Sequence, residues 1–330
     1  MMEVHDGAEL CFPQLLNTSC WKKVATWTEA VFLCCLLSPL SVLTVALNLL
    51  VIIAISHFRQ LNKPTNLLLL SLSVSDFIVG LVFMPGEVLR KTSCWFLGDV
   101  MCSLYKYIIP LTISASVGSM VLISIDRYVS ICQPLHYPTR VTVRRVKLCN
   151  FLCWLCSFFY RSFLIKDMVF QNDKYVSCYG ECEFFIDYIT GFVDVFVTFI
   201  IPVTVIIVLN LRVFVVAVSQ ARAMRSHITA VTLQHSVTVT SRKSELKAAR
   251  TLGILIAVFL ICFIPYYCVC LAGSNLLNSS YGILVISVFC FNSCLNPLIY
   301  ALFYPWFRRA VKLIVTLQIL QPGSREANIL

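Results

Sequence analysis

The sequence predicts an all-α membrane protein, a seven-transmembrane helix bundle with a short amphipathic helix after the seventh span, and three observations carry that prediction. Of the 330 residues, 59% are hydrophobic and 13% charged, where a soluble globule of this size is about a quarter charged. Seven apolar stretches reach spanning length. The net charge of +10 comes mainly from Lys and Arg in the short segments between them, a distribution set by membrane topology rather than by a nucleic-acid surface.

The stretches run from about Ala30 to Ser56, Thr65 to Leu89, Met101 to Cys132, Val146 to Ile165, Tyr188 to Val218, Ala248 to Leu271 and Tyr281 to Phe303. The third is the organising one. It carries no charge between Lys106 and Asp126, and at 1.5 Å per residue the helix from Cys102 to Arg127 covers about 37 Å, enough to cross a bilayer at a tilt. After the seventh, Phe307, Val311 and Ile314 recur at i, i+4 and i+7 with Arg308, Arg309 and Lys312 on other faces, the pattern of a helix lying on a leaflet in contact with membrane lipid. The expected division is therefore an N-terminal segment 1–29, a seven-span unit 30–303 and an amphipathic helix with tail 304–330. No second domain and no low-complexity tract is visible.

Charge sets the expected orientation. Arg59 and Lys63, then Arg140, Arg144, Arg145 and Lys147, then Arg222, Arg225, Arg242, Lys243, Lys247 and Arg250 mark one side. Glu3, Asp6, Glu9, Glu29, Asp167, Asp173, Glu181, Glu183 and Asp187 mark the other. The positive-inside rule puts the N-terminus outside the cell and the C-terminus in the cytoplasm. Residues 1–29 lack a cationic leader with an apolar core, so the first span is expected to act as its own insertion signal. Sequons at Asn17 and Asn278 fall on the expected outer side. Of 17 cysteines, most lie within apolar runs as small buried side chains, whereas Cys11, Cys20, Cys94, Cys102, Cys178 and Cys182 lie outside them.

Each span also carries one characteristic residue or motif: Asn48, Asp76, Asp126-Arg127-Tyr128, Trp154, Pro202, Cys262-Phe263-Ile264-Pro265 and Asn296-Pro297-Leu298-Ile299-Tyr300. In this order, one per span, they resemble the rhodopsin-like (class A) G protein-coupled receptors. The run from Asn292 to Phe307 is similar to the seventh-helix signature of trace amine-associated receptors, and the missing third-span aspartate resembles their fish-type branch. The likeness covers about Leu10 to Leu320.

This resemblance implies roles for particular residues. Asp126, Arg127 and Tyr128 would form the switch facing a heterotrimeric G protein, with Asn296, Pro297 and Tyr300 beside it. Glu245 is expected to pair with Arg127 at rest, so that breaking the pair opens a cleft. Asp76 is an ionisable group in mid-span, costly unless it is served by a partner. With Ser116, Asn292 and Asn296 it offers the hard oxygens that suit a sodium ion; a hydrogen bond to Asn48 is the structural alternative. Cys102–Cys182 and Cys20–Cys178 resemble the family's bridges, with Cys11 or Cys94 as competitors. Arrestin and a receptor kinase follow as further partners of such a receptor. No cofactor other than the possible sodium ion is implied.

For the ligand, Asp194 is the informative residue. It lies in the outer half of the fifth span among apolar neighbours, with Thr190 and Thr198 on its face at i−4 and i+4. Such an acid needs a partner inside the bundle. The position where amine receptors carry their ammonium-binding aspartate is Ile109 here, so the resemblance leads to an amine that pairs with Asp194 instead, ringed by Phe263, Tyr266 and Tyr267. The alternative partner is a neighbouring hydroxyl or a base such as Arg161. Glu87 and Arg90, at i and i+3, are expected to pair near the membrane interface. Pro110, Arg161, Asn210, Phe263, Ser287 and Cys290 all depart from the family's usual residues.

The function expected is reception of amines, olfactory trace amines or polyamines, at the plasma membrane, with coupling to the stimulatory G protein and a rise in cyclic AMP. The alternatives are a receptor for a non-amine ligand or a diverged receptor that signals weakly. A transporter ranks last, because inverted repeats with paired broken spans are missing. An enzyme is not expected, since neither Gly-x-Ser-x-Gly nor His-Glu-x-x-His occurs.

Overall fold

A computed structural model describes residues 9–22, 27–170, 178–182, 188–228, 236–272 and 280–329, with side chains at 165–170, 220–228, 236–252 and 280 outside the description. Seven long helices form where the apolar stretches lie. They are α1 (Trp27–His57), α2 (Pro64–Thr92), α3 (Gly98–Cys132), α4 (Val143–Phe170), α5 (Tyr188–Ile228), α6 (Ser236–Ala272) and α7 (Ser280–Phe303). The amphipathic α8 (Pro305–Val315) follows. Among the described residues, six are long and apolar enough to cross a membrane. The remaining one, α4, also has the length, and its described side chains end at 164.

α3 is the central post, packed against α2, α4 and α5, while α7 closes the bundle between α1 and α6. One continuous buried core runs its length, from Tyr105 and Phe83 near one end to Tyr300 and Phe307 near the other. The helices are pinned to each other by polar residues that would be costly in lipid without a partner. Asn48 Nδ2 donates to the backbone oxygens of Thr44 and Ser293, both at 2.9 Å, tying α1 to α7. Trp154 Nε1 donates to Ser71 Oγ, which also meets Ser119 Oγ, joining α4, α2 and α3.

Two wide π-type turns interrupt the spans, at Val79–Phe83 in α2 and Phe196–Ile200 in α5. Each ends two residues before a proline, Pro85 and Pro202. A helical proline lacks an N–H and its ring crowds the carbonyl four residues back, here Leu81 and Thr198, so the turn before it widens. The second of these turns begins two residues after Asp194.

At the N-terminal end, residues 9–22 and 178–182 form a lid held by three disulfides, Cys11–Cys94, Cys20–Cys178 and Cys102–Cys182. The competition foreseen for Cys11 and Cys94 resolves by their pairing with each other. Among the described residues the only extended pairings are the single bridges Leu10–Trp21 and Ser19–Tyr179. Gly180 is required in this lid: its φ is +107°, and an added Cβ would lie 2.7 Å from Cys11 Cβ.

The amphipathic helix forms over the expected residues, with part of its apolar face packed inward. Phe307, Trp306 and Ala310 are buried, partly because the tail folds back over them. Ile329 is fully enclosed, its N–H donating to Gln60 Oε1 at 3.2 Å, and Ser324 Oγ lies 3.0 Å from His57 Nε2.

Candidate functional site

The bundle encloses four carboxylates among the described residues, Asp76, Glu87, Asp126 and Asp194, and each defines a site. Asp194 projects from α5 toward α3 and α4 rather than toward lipid. Arg161 of α4 meets it: Nη1 lies 3.0 Å from both carboxylate oxygens, and Nη2 donates to Ser114 Oγ on α3 at 3.1 Å. Of the two kinds of partner considered from the sequence, the structure supplies the internal base. Arg161 is 7% exposed and its guanidinium carbon sits 5.5 Å from the Tyr160 ring centroid.

The neighbours expected around Asp194 fall into place unequally. Thr198 is buried and its hydroxyl donates to the Asp194 backbone oxygen at 2.7 Å, so it braces the helix rather than the carboxylate. Thr190 is half-buried one turn above. Ile109 is buried and apolar, leaving no acid at that point of α3. Tyr267 lies within electrostatic reach of both Asp194 and Arg161 and stacks on Phe199 at 3.9 Å. Phe263 packs on Phe259 at 4.2 Å and on Phe289 at 4.7 Å, and Tyr266 also meets Phe289 at 4.7 Å. These rings form an aromatic floor against α7.

Glu87 lies deeper than the interfacial pair expected for it. It is 2% exposed, gripped by Arg90 through Nε at 3.0 Å and Nη2 at 2.8 Å, and accepts from Tyr105 OH at 2.9 Å. Tyr105 was not singled out from the sequence; Gly86 was the available signal, because a Cβ there would come within 2.2 Å of the Tyr105 ring.

In mid-bundle, Asp76 Oδ2 accepts from Asn296 Nδ2 at 2.8 Å, and Asn48 turns to backbone oxygens instead. Buried oxygens without a hydrogen-bond partner remain on Asp76, Ser116, Asn292 and Asn296. Orphaned hard oxygens around one carboxylate fit a monovalent cation such as sodium, and these four residues would hold it.

At the opposite end from the lid, Asp126 takes a charge-assisted hydrogen bond from Arg127 Nε at 3.0 Å, with Tyr137 OH at 2.9 Å and Thr65 Oγ1 at 3.0 Å. Burial beside Asp126 pushes the Tyr137 hydroxyl pKa up, which keeps it a donor. Arg127 therefore folds back on its own helix and α2. Tyr128 is half-buried. The Glu245 side chain, expected as the partner of Arg127, lies outside the described residues, as does Asn278. Arg127 lines a crevice shared with Leu255, Ile299, Tyr300 and Tyr304, where Tyr300 OH is buried without a partner. Asn210, in place of a tyrosine, links α5 to α3 through Ser124 Oγ at 3.0 Å. Asn17 is exposed in the lid.

Residues 47–300 match the family described as 7 transmembrane receptor (rhodopsin family). Across nearly the whole chain the similarity narrows. Trace amine-associated receptor 13c of Danio rerio is 34% identical over 98% of this chain and 97% of its own length. Trace amine-associated receptor 5 of Rattus norvegicus is 37% identical over 98% and 95%, and trace amine-associated receptor 7e of Mus musculus 36% over 98% and 92%. The chain belongs to the trace amine-associated receptors.

Membership makes this a multi-pass membrane receptor and not an enzyme, acting through a small-molecule ligand and a heterotrimeric G protein. The receptor thus has a lid and the Asp194–Arg161 ion pair toward one end and the Asp126–Arg127 pair at the other. α3 runs between them and carries Ser114, Ser116, Ser124 and Asp126.

Proposed function

We propose that the receptor senses amines at the plasma membrane, with its N-terminus and lid outside the cell and the Asp126–Arg127 end in the cytoplasm, and that it activates the stimulatory type of G protein to raise cyclic AMP. The names of its relatives support the amine, and the distribution of Lys and Arg supports the orientation. The observation that carries the site is the contrast between two acids. Glu87 is saturated by a two-point grip and a phenol, whereas Asp194 is held by one guanidinium nitrogen with the Tyr160 hydroxyl beside it. An ammonium entering between α3, α5 and α6 would therefore meet Asp194, over the rings of Phe263, Tyr266 and Tyr267.

Ligand binding at the α3–α5 contact would bias α3 toward the arrangement in which Arg127 leaves Asp126 and the G protein engages. A sodium ion at Asp76 would favour the closed arrangement. Arrestin and a receptor kinase would act on the same opened surface, and Asn17 would carry a glycan. The test is a cyclic-AMP reporter in transfected cells challenged with a panel of mono- and diamines, with wild type beside Asp194→Asn at matched surface expression. Undiminished potency in the variant would refute Asp194 as the ammonium site.

A further inference from the structure

Arg161 is an unusual neighbour for an amine site, because it already supplies the cation that Asp194 needs. An ammonium added alone would leave the enclosed group with a net positive charge, and displacing the guanidinium would strand a buried cation, the costliest way to break such a pair. Yet the pair is incomplete on both sides. Guanidinium offers five N–H donors; Arg161 commits Nη1 to Asp194 and one bond from Nη2 to Ser114, while its Nε is buried without a partner. On the carboxylate, Arg161 gives Oδ1 no aligned hydrogen bond, and the Tyr160 hydroxyl is the other donor beside it.

The same molecule shows how that unused edge binds. Arg90 grips Glu87 through Nε and Nη2 together, the side-on fork that matches a carboxylate. Among the described residues this Nε–Nη2 edge of Arg161 faces no acid, and Ser114 is its hydrogen-bond partner. A second carboxylate laid there would satisfy Nε, and an ammonium beside it would satisfy Asp194 Oδ1. The enclosed charge would then remain balanced.

From this geometry we propose that the site takes a zwitterion, a ligand bearing a carboxylate next to its ammonium in the manner of a free amino acid, and that Arg161 is the residue that sets this specificity. The proposal rests on the reading of Asp194 as the ammonium partner and narrows it. It orders ligands by a simple rule: at equal side chain, the carboxylated compound outranks the bare amine, since the bare amine leaves the guanidinium fork unfilled and adds an unbalanced charge.

The experiment uses the full-length receptor in cells held in amino-acid-free buffer, with surface expression read from an N-terminal tag. Matched pairs are applied: 2-phenylethylamine and phenylalanine, tyramine and tyrosine, cadaverine and lysine. G protein dissociation and thermal stabilisation of the solubilised receptor are both recorded. For wild type, at least one carboxylated member should be more potent than its amine by about tenfold or more, the worth of one charge-assisted hydrogen bond. Arg161→Met should reverse that order, whereas Arg161→Lys should weaken but keep it. A merely structural arginine would lower both members of a pair equally.

The wild-type ranking decides even where a variant fails to reach the surface. Amines more potent than their carboxylated partners on wild type would overturn the zwitterion and leave the amine reading standing. Silence toward both classes in both readouts, with receptor at the surface, would overturn the two together.

Discussion

Replacing Cys11 and Cys94 together by serine tests how the lid is held. The bridge spans 83 residues of sequence, and a crosslink closing a free loop of that size would remove about 4.6 kcal/mol of unfolded-chain entropy. The loop that matters is shorter. With the other two bridges intact, the path takes nine steps from Cys11 to Cys20, crosses to Cys178, takes four to Cys182, crosses to Cys102 and returns eight to Cys94, about 21 in all. A ring of that size corresponds to about 3.3 kcal/mol, a ceiling of roughly 200-fold on how often the lid opens. Hydrogen exchange of the receptor in nanodiscs reads this directly, because the lid amides are paired: Cys20 to Tyr179 O, Tyr179 to Thr18 O and Trp95 to Gly180 O, at 2.7–2.9 Å. Protection should fall by up to that factor in 9–22, 94–95 and 178–182, and stay unchanged in the core of α2, α3 and α7. Unchanged lid protection, or an equal loss throughout the helices, would refute the reasoning.

Three further outcomes follow from the enclosed carboxylates. Asp194→Asn or Arg161→Met alone should destabilise the solubilised receptor by about 3–5 kcal/mol, since each strands a buried charge, whereas the double variant should recover most of the loss; additive shifts in melting temperature would contradict the pairing at 3.0 Å. Sodium in place of choline should stabilise wild type by about 1.4 kcal/mol at ten times its Kd, and Asp76→Asn should abolish that gain, as measured by thermal unfolding in detergent. Asp126→Asn should release Arg127 and raise ligand-free nucleotide exchange on the purified G protein several-fold; a basal rate equal to wild type would show that Asp126 does not restrain the switch.

Much of the frame was legible because lipid makes harsh demands on sequence. Every backbone group in a span must be satisfied by its own helix, so length and apolarity locate α1, α2, α3 and α7 within a few residues, whereas the polar ends of α5 and α6 run ten and twelve residues past their apolar stretches. Polar residues inside spans stand out for the same reason, and Asp76, Asp126 and Asp194 were visible on that ground. Rotation and depth were not. Whether Arg161 meets Asp194 depends on how α4 and α5 turn about their axes, which apolar runs do not encode because lipid-facing and buried faces are equally hydrophobic. Glu87 reads as interfacial by counting residues, but the wide turn at Val79–Phe83 shifts the register beneath it and Tyr105 closes over it. The Cys11–Cys94 bridge required the path of the lid, and the return of Ile329 onto Gln60 required the fold of the tail, neither of which has a period to follow.

The four acids differ in one respect that bears on signalling. Asp126 and Arg127 are adjacent in sequence, and Glu87 and Arg90 are separated by one turn of one helix; each pair moves as a unit, and its Coulomb energy is indifferent to how helices shift. Asp76 has no cation of its own at all among the described residues. Only Asp194 and Arg161 lie on different helices, 33 residues apart, so only their separation changes when α5 moves against α4. Because the attraction is enclosed and weakly screened, a displacement that lengthens a 3.0 Å contact loses much of it within a few ångströms. A ligand that fills the free edge of Arg161 and meets Oδ1 of Asp194 exchanges part of that attraction for bonds to itself, and so loosens α5 from α4 without stranding a charge. The ion pair is in this sense both the obstacle to a bare amine and the element whose energy depends on helix position, which is what a receptor needs at its ligand site.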